Sequence, residues 1–312
     1  MSKYPFKEKA DEFMDSRKGC IAELSWKGLD RRYRRMEREL IMLKEQGAIS
    51  TLSPQKMGED DIKAFLVYRK GKKVSASDLS HDISALNQLL SFCGNPAVVA
   101  CLNKNIGLKP KHKQQPRLEP LSKTTYEEIL GAYHDIDFND FTQVRAFTLV
   151  LMYIGTGARN KELRLTSIDD VDVEEWKIHF EHVKGEGTYG SARNVPIPVE
   201  LRSIVEQYIF DRAVWLKAHD ATSEALFFQL GGDHTYLSGN SIRRCKSIVE
   251  KKIGKTFELR DCRRAFGQFY INKGLEIDGV SILMGHGTTR TTEQYYCRKN
   301  ESEVIERAKE LW

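Results

Sequence analysis

Apolar residues recur at helical spacing along most of this chain. Between residues 21 and 49 they form a single stripe at intervals of three and four, the pattern of a helix with one buried face. Further stripes predict helices at 60–68 and 78–92, and a short helix with Pro96 in its first turn. The first third of the chain is therefore predicted to be a small all-helical unit.

The pattern becomes mixed in the rest of the chain. A Thr-x-x-Glu capping box predicts a helix that begins at Thr124, and residues 141–154 form a strongly apolar helix. Residues 172–181 and 193–198 alternate as strands do, with a glycine-rich turn between them, so they predict a hairpin. Helical periodicity then continues to the end of the chain, at 199–218, 238–252, 261–273, 277–284, 291–298 and 301–311. We predict a mainly α (α+β) fold, in which an all-helical N-terminal domain precedes a helical domain with a small antiparallel sheet.

Residues 104–120 interrupt the periodicity with three prolines, several lysines and a single acid, Glu119. This composition is typical of a linker. It fits a solvated spacer and a strap that lies on a polyanion equally well. We therefore divide the chain into a helical unit at 1–106, a basic, proline-containing linker at 107–122 and a second unit at 123–312.

Composition narrows the class of protein only slightly. Of the 312 residues, 40% are hydrophobic and 30% are charged, which is typical of a globular protein and excludes disorder, collagen and coiled-coil arrays. The net charge of +5 says little about partners, but its distribution is uneven. Residues 1–123 carry 24 Lys and Arg against 15 Asp and Glu, whereas residues 124–312 carry 25 against 29. The positive charge is thus concentrated in the first third.

The six cysteines form no C-x-x-C pair and no regular spacing with the histidines. Neither a metal site nor a disulfide framework is therefore expected. The first residues contain no apolar signal core, and no apolar run is long enough to cross a bilayer. We expect a reduced intracellular protein without membrane contact.

Polar residues that could carry chemistry occur at four separate places. Arg159 follows a glycine turn and begins a predicted helix, where its planar guanidinium could bind a phosphate. Taken alone, this arginine is explained better by a surface ion pair with Glu162. Lys184, at the predicted hairpin turn, could deliver a proton into a cleft or simply be solvated.

The other two places lie near the end of the chain. Three arginines crowd one predicted helix start: Arg260, Arg263 and Arg264. Because like charges repel, this group favours a bound anion over an ordinary salt-bridged face. His286 follows a glycine, and Tyr295 and Tyr296 come one short helix later. Each of these three residues also has a plain capping or packing explanation.

Together these residues resemble the tyrosine site-specific recombinases, also called phage-type integrases. The T-G-x-R-x-x-E-L box of that family is similar to Thr156–Leu163, and its hairpin lysine to Lys184, ahead of a V-P-L-P-like strand. Its remaining boxes, H-x-L-R-H-x-F, L-G-H and T-T-x-x-Y, resemble Arg260–Phe266, Met284–His286 and Thr291–Tyr295. The register is supported by spacing, because 23 residues separate Arg263 from His286 and nine separate His286 from Tyr295.

The resemblance implies DNA cleavage through a 3′-phosphotyrosyl intermediate, without ATP, metal or another cofactor. It implies one role for each site residue: nucleophile for Tyr295, phosphate clamps for Arg159 and Arg263, further hydrogen bonds from His286 and Arg260, general acid for Lys184, and an orienting carboxylate for Glu162. One departure stands out, since the family usually has histidine where this chain has Arg260. Arginine stays charged and is a poor general base, so the route by which the tyrosine loses its proton is open.

The resemblance also implies a partner, double-stranded DNA, held by the basic front and linker. The residues expected to bind it are Arg31, Arg32, Arg35, Lys109, Lys111, Lys113 and Arg117. The expected assembly is a homodimer on one site and a tetramer in synapsis, with a C-terminal tail helix docking in cis or in trans. The function implied is that of an integrase or excisionase of a mobile element, or of an Xer-like resolvase, in the cytoplasm and associated with the nucleoid.

Two alternatives remain at this stage. A type IB topoisomerase-like relaxing enzyme would use similar chemistry as a monomer. A DNA-binding protein that has lost cleavage would account for the departure at Arg260.

Overall fold

The computed structural model describes residues 4–111, 118–183 and 191–295, together with Ile305, Ala308 and Lys309; for residues 294 and 295 it describes the backbone alone. The chain divides into two compact units, 1–115 and 116–312, each with its own hydrophobic core. Both units are mainly helical, and the second contains a small antiparallel sheet, so the predicted fold class is confirmed. No described helix is long and apolar enough to cross a membrane.

Over residues 4–111, the described part of the first unit, the chain forms five α-helices and a closing turn of 3-10 helix at Ile106–Leu108. The helices are α1 (Pro5–Ser16), α2 (Glu23–Glu45), α3 (Glu59–Gly71), α4 (Ala76–Phe92) and α5 (Ala97–Lys104). The sequence pattern predicted the last four and missed α1. This helix packs against α2 and α4 and buries Phe6, Phe13 and Met14, but these few apolar residues lie among charges that obscure the stripe.

Charged side chains join three of these helices inside the first unit. Asp82 of α4 is fully buried and accepts hydrogen bonds from Arg32 and Arg35 of α2 and from Arg69 of α3. Arg69 also contacts Glu39 of α2, with 2.8 Å between its Nη1 and the carboxylate oxygen. Two of the arginines predicted to bind DNA therefore have partners inside the protein.

The second unit contains eight α-helices, a turn of 3-10 helix at Ile168–Asp170 and three strands among its described residues. The helices are α6 (Lys123–His134), α7 (Phe141–Thr156), α8 (Asn160–Arg164), α9 (Val199–Ala218), α10 (Gly239–Ile253), α11 (Leu259–Asn272), α12 (Ile277–Met284) and α13 (Thr289–Tyr295). The predicted capping box at Thr124 is wrong. Ser122 caps α6 instead, because its hydroxyl accepts the backbone N–H of Thr125.

The strands form an antiparallel sheet in the order β1 (Val171–Asp172), β2 (Lys177–Phe180), β3 (Arg193–Pro196). The single strand predicted over 172–181 is two strands, because the chain turns between them and Trp176 adopts a φ of 51°. The turn that contains Lys184 and most of the helix predicted over 301–311 lie outside the described residues.

Helix α7 is the centre of the second core. All its residues except Thr142 and Gln143 are buried, and it packs against α6, α9, α10 and α11. A helix that is apolar on every side must be enclosed in this way. It ends at Thr156 and is capped by Gly157, where the candidate site begins.

Candidate active site

A glycine turn places the first arginine of the site. Gly157 has a φ of 58°, which favours glycine, and a Cβ here would lie 2.5 Å from the ring of Phe266. The chain then enters α8 with Arg159 at the N-cap position. The backbone N–H of Arg159 donates to Glu162 Oε2 at 2.7 Å, and its guanidinium donates to Glu162 Oε1 at 2.7 Å. The predicted pairing of these two residues exists, but the carboxylate is buried rather than on the surface.

Glu162 is the negative centre of a cluster of three arginines. Besides Arg159, it accepts two hydrogen bonds from Arg193 and lies 3.9 Å from Nη1 of Arg263. Burial by itself would raise the pKa of Glu162, but the hydrogen bonds and charge of Arg193, with the charges of Arg159 and Arg263, lower it to about 2. The carboxylate therefore stays ionised although it is buried.

Arg193 was not predicted as a site residue. It begins β3, and its Nη1 and Nη2 lie 3.1 Å and 2.8 Å from the two oxygens of Glu162. Its Nε donates to the carbonyl of Leu283 at 2.7 Å, and its guanidinium lies over the ring of Phe180. Strand alternation held the signal that could have found it, since Arg193 lies two residues before the buried Val195 and therefore on the same inward face.

Arg263 and His286 lie together beside this cluster. Arg263 donates to the carbonyls of Gly157 and Met284 and, at 3.0 Å, to Nε2 of His286. Since arginine only donates, Nε2 must accept, and the proton of a neutral imidazole is then on Nδ1. Nδ1 lies 2.7 Å from the hydroxyl of Thr292, which is fully buried in α13.

The histidine is neutral because its surroundings disfavour a charge. Burial lowers the pKa of His286, and the positive charges of Arg263, Arg159 and Arg193 lower it further, to about 3. Three arginines, one carboxylate and a neutral imidazole leave two positive charges in excess. Partly buried charge of one sign is costly unless an anion compensates it. The arrangement is suited to hold a phosphate, and Arg159, whose side chain is 25% exposed, can reach one.

The structure describes the remaining predicted site residues only in part. Arg264 pairs with Asp261, whereas Arg260 is exposed and has no hydrogen bond or ion pair to another described residue. Tyr295 is the last residue of α13, and only its backbone is described. Lys184 lies outside the described residues. Within the described ranges, no group of histidine, cysteine and acidic side chains has the arrangement of a metal site.

The residues predicted to bind DNA are also divided. Arg31, Lys109 and Lys111 are exposed. Arg32 and Arg35 are bonded to Asp82. Lys113 and Arg117 fall in the part of the chain that the structure leaves undescribed.

A guanidinium cluster in a mainly helical domain, followed along the chain by a tyrosine-bearing helix, is the arrangement that the resemblance to tyrosine recombinases led us to expect. The family model described as "Phage integrase family" matches residues 119–303, more than half of the chain. The chain therefore belongs to the phage integrase family.

Individual proteins give the same answer. The chain is 25% identical over 244 residues to the tyrosine recombinase XerC of Listeria monocytogenes serotype 4b (strain F2365), covering 75% of this chain and 76% of the relative. It is 26% identical over 252 residues to the tyrosine recombinase XerA of Pyrococcus furiosus, covering 80% of each.

Two solved structures are similar in fold. The Tn1549 transposon integrase, in complex with a circular intermediate DNA, has a TM-score of 0.69 at 16% identity and covers 99% of this chain and 100% of that one. A lambda integrase dimer bound to a core site has a TM-score of 0.61 at 15% identity, covering 95% and 98%.

The protein is thus a site-specific DNA recombinase, an enzyme that cleaves and rejoins DNA strands. The predictions of family, enzyme class and DNA recombination are confirmed. The alternative of a topoisomerase-like relaxing enzyme gains no support from the family match or from these relatives.

Proposed function

We propose that Tyr295 is the nucleophile and that cleavage proceeds through a 3′-phosphotyrosyl intermediate. The phenolic oxygen forms a bond to the scissile phosphorus, and the bond from phosphorus to the 5′-oxygen breaks. The phenol loses its proton to solvent, and the leaving 5′-oxygen gains one from Lys184. Rejoining reverses these steps, and the phosphotyrosyl bond conserves the energy that rejoining needs.

Arg159 and Arg263 bind the non-bridging oxygens of the phosphate in this mechanism. The observation that carries the proposal is the two-charge excess around Glu162, because a pentacovalent phosphate anion supplies the missing negative charge. Glu162 orients Arg159 through its backbone and its guanidinium. No metal ion is required by this arrangement of fixed cations.

His286 and Arg260 have supporting roles. Neutral His286 accepts from Arg263 and so holds that guanidinium in place. Arg260 contributes a permanent positive charge at the start of α11. We infer that the cations of the site stabilise the phenolate of Tyr295, which loses its proton to solvent rather than to a histidine base.

The substrate we propose is double-stranded DNA, bound by the exposed cations of the first unit and the linker, with Arg31, Lys109 and Lys111 in phosphate contact. The solved relatives include XerH bound to its difH substrate and the lambda integrase dimer on a core site. By analogy we propose a homodimer on each site and a tetramer in synapsis, acting as an integrase or excisionase or as an Xer-like resolvase, on the nucleoid in the cytoplasm.

A covalent-trapping experiment tests the nucleophile. Duplexes selected from a random library for binding are mapped for cut positions and then synthesised with a nick beside the cut, so that the cleaved fragment diffuses away. We expect the wild type and Tyr296→Phe to form a covalent protein–DNA adduct and Tyr295→Phe to form none. Tyr296 is the matched control, since it is the adjacent residue of the same type.

Each result bears on one statement. An adduct that survives Tyr295→Phe and disappears in Tyr296→Phe would show that Tyr296, and not Tyr295, is the nucleophile. If the wild type bound DNA and formed no adduct, the alternative of a protein that has lost cleavage would be correct.

A further inference from the structure

We propose that Arg193 is a positioning residue of the recombinase, one that clamps Glu162 to the last turn of α12, just before His286, and so holds Arg159 in its phosphate-binding orientation. This inference rests on the proposed function of Arg159. Arg193 lies outside the motif boxes that the sequence shares with the tyrosine recombinases, and its role follows from the contacts that it makes.

All three nitrogens of its guanidinium bind protein groups. Nη1 and Nη2 donate to the two carboxylate oxygens of Glu162, the bidentate geometry that only arginine provides. Nε donates to the carbonyl of Leu283. The side chain of Arg193 is 6% exposed, against 25% for Arg159, so Arg193 is placed to hold neighbours and Arg159 to meet a ligand.

Both segments that Arg193 binds also bind Arg159. Glu162 accepts from the backbone and from Nη1 of Arg159, and the carbonyl of Gly285 accepts from Nη2 of Arg159 at 3.0 Å. Gly285 follows Leu283 by two residues in the same turn. Arg193 therefore ties together the two segments that fix the Arg159 guanidinium from opposite ends.

The glycine of the Met284–His286 box has a matching explanation. Gly285 has a φ of 61°, and a Cβ at this position would lie 2.7 Å from Nη1 of Arg193. A side chain here would displace the guanidinium as well as strain the turn. Arg193 also begins β3, so the same contacts attach the described base of the hairpin to the site.

The test compares three variants of the full-length chain on the nicked duplex described above: Arg193→Gln, Arg193→Lys and the control Arg212→Gln. Arg212 is equally buried in the same unit and donates to the carbonyls of Ser223 and Ala225, none of which contacts the site. We measure DNA affinity, melting temperature and the single-turnover rate of adduct formation. Arg193→Gln removes hydrogen bonds between charged, buried groups. We therefore expect adduct formation to be about 10- to 100-fold slower in this variant, at unchanged DNA affinity. Arg193→Lys, which keeps the charge and loses the fork, should fall between.

Two further measurements separate positioning from general stability. If Arg193 acts through Glu162, the double variant with Glu162→Gln should be no slower than the slower single variant. Removing Arg193 also raises the pKa of Glu162, so the rate of Arg193→Gln should fall more steeply on mild acidification than the wild-type rate does. Arg212→Gln should show neither effect.

The outcomes are decisive in each case. A wild-type rate in folded Arg193→Gln or Arg193→Lys, or purely additive losses with Glu162→Gln, would overturn the inference. If Arg193→Gln does not fold, the Arg193→Lys rate and pH profile decide alone. Absence of adduct in the wild type would instead count against the proposed function, so the two failures are distinct.

Discussion

Burial by itself raises the pKa of Glu162 and lowers the pKa of His286, the two titratable groups at the centre of the site. Glu162 keeps its charge because three guanidinium groups outweigh the cost of burial, and its pKa falls to about 2. His286 loses its charge because burial and the same guanidinium groups both disfavour a proton, and its pKa falls to about 3. The site is therefore strongly cationic at neutral pH without a protonated histidine, and it does not depend on histidine titration for its charge.

This difference predicts how stability depends on pH. The pKa of His286 is about 3 in the folded protein and near 6.5 in the unfolded chain, so between these values the unfolded chain binds more protons. Stability should consequently fall as pH falls from 6.5. In His286→Asn this contribution is absent, so we expect the melting temperature to fall less steeply between pH 6.5 and pH 5 than in the wild type. Glu162 does not titrate in this range, because its pKa is about 2.

His179 is the control with the opposite sign. Its hydrogen bonds to Glu181 and Asn194 raise its pKa, so its contribution is present below pH 6.5 and is lost as pH rises through the folded-state pKa. His179→Asn should steepen the acid decline slightly. Equal slopes for wild type and His286→Asn would contradict the neutral histidine.

At the scale of elements, helices α2, α3 and α4 are joined at one buried carboxylate. Asp82 is fully buried and binds three arginines from two other helices. Removing one partner of such a network leaves uncompensated charge in the interior, which costs more than the network itself contributes. The presence of arginines on α2 is thus explained in part by their ion pairs with Asp82, and DNA binding need not account for all of them.

We expect Asp82→Asn to lower the free energy of unfolding of the first unit by about 3–5 kcal/mol. The control Asp30→Asn breaks a more exposed pair with Arg34 on one helix and should cost at most about 0.5 kcal/mol. Hydrogen exchange of the α2–α4 amides in the full-length chain measures the effect where it occurs. Equal protection in the two variants would mean that Asp82 contributes no more than a surface carboxylate.

At the scale of the whole molecule, positive charge is segregated along the chain. The first 123 residues carry 24 Lys and Arg against 15 Asp and Glu, more than the whole net charge of +5. The remainder is slightly acidic, and three of its arginines, Arg159, Arg193 and Arg263, surround Glu162. The two parts have separate cores. We infer that electrostatic affinity for DNA belongs mainly to the first part and that chemistry belongs to the second.

Salt dependence tests this division. Each phosphate contact that is lost should reduce the slope of log affinity against log salt concentration by about 1. We expect that reduction for Arg31→Gln, Lys109→Gln and Lys111→Gln in the full-length chain. Lys255→Gln, which removes a surface lysine of the second unit paired with Glu128, should leave the slope unchanged. If all four variants had the same salt dependence of DNA affinity, the inference that the first part provides most of the electrostatic affinity for DNA would be wrong.

Local pattern was sufficient for much of this protein. Periodicity predicted the helices after the first, the hairpin strands and the fold class, because burial of one helix face or one strand face leaves its mark on neighbouring residues. Motif spacing led to Arg159, Arg263 and His286, which the structure brings together, and it separated Arg263 from Arg264.

Only the tertiary structure decided which charged residues, distant from one another along the chain, become partners. Arg193 meets Glu162 across 31 residues and Leu283 across 90, and Arg32 meets Asp82 across 50. A sequence shows that such groups exist, since each residue carries its own charge and its own periodicity. Which of them are neutralised inside, and which are left to bind DNA, depends on long-range packing that no local pattern records.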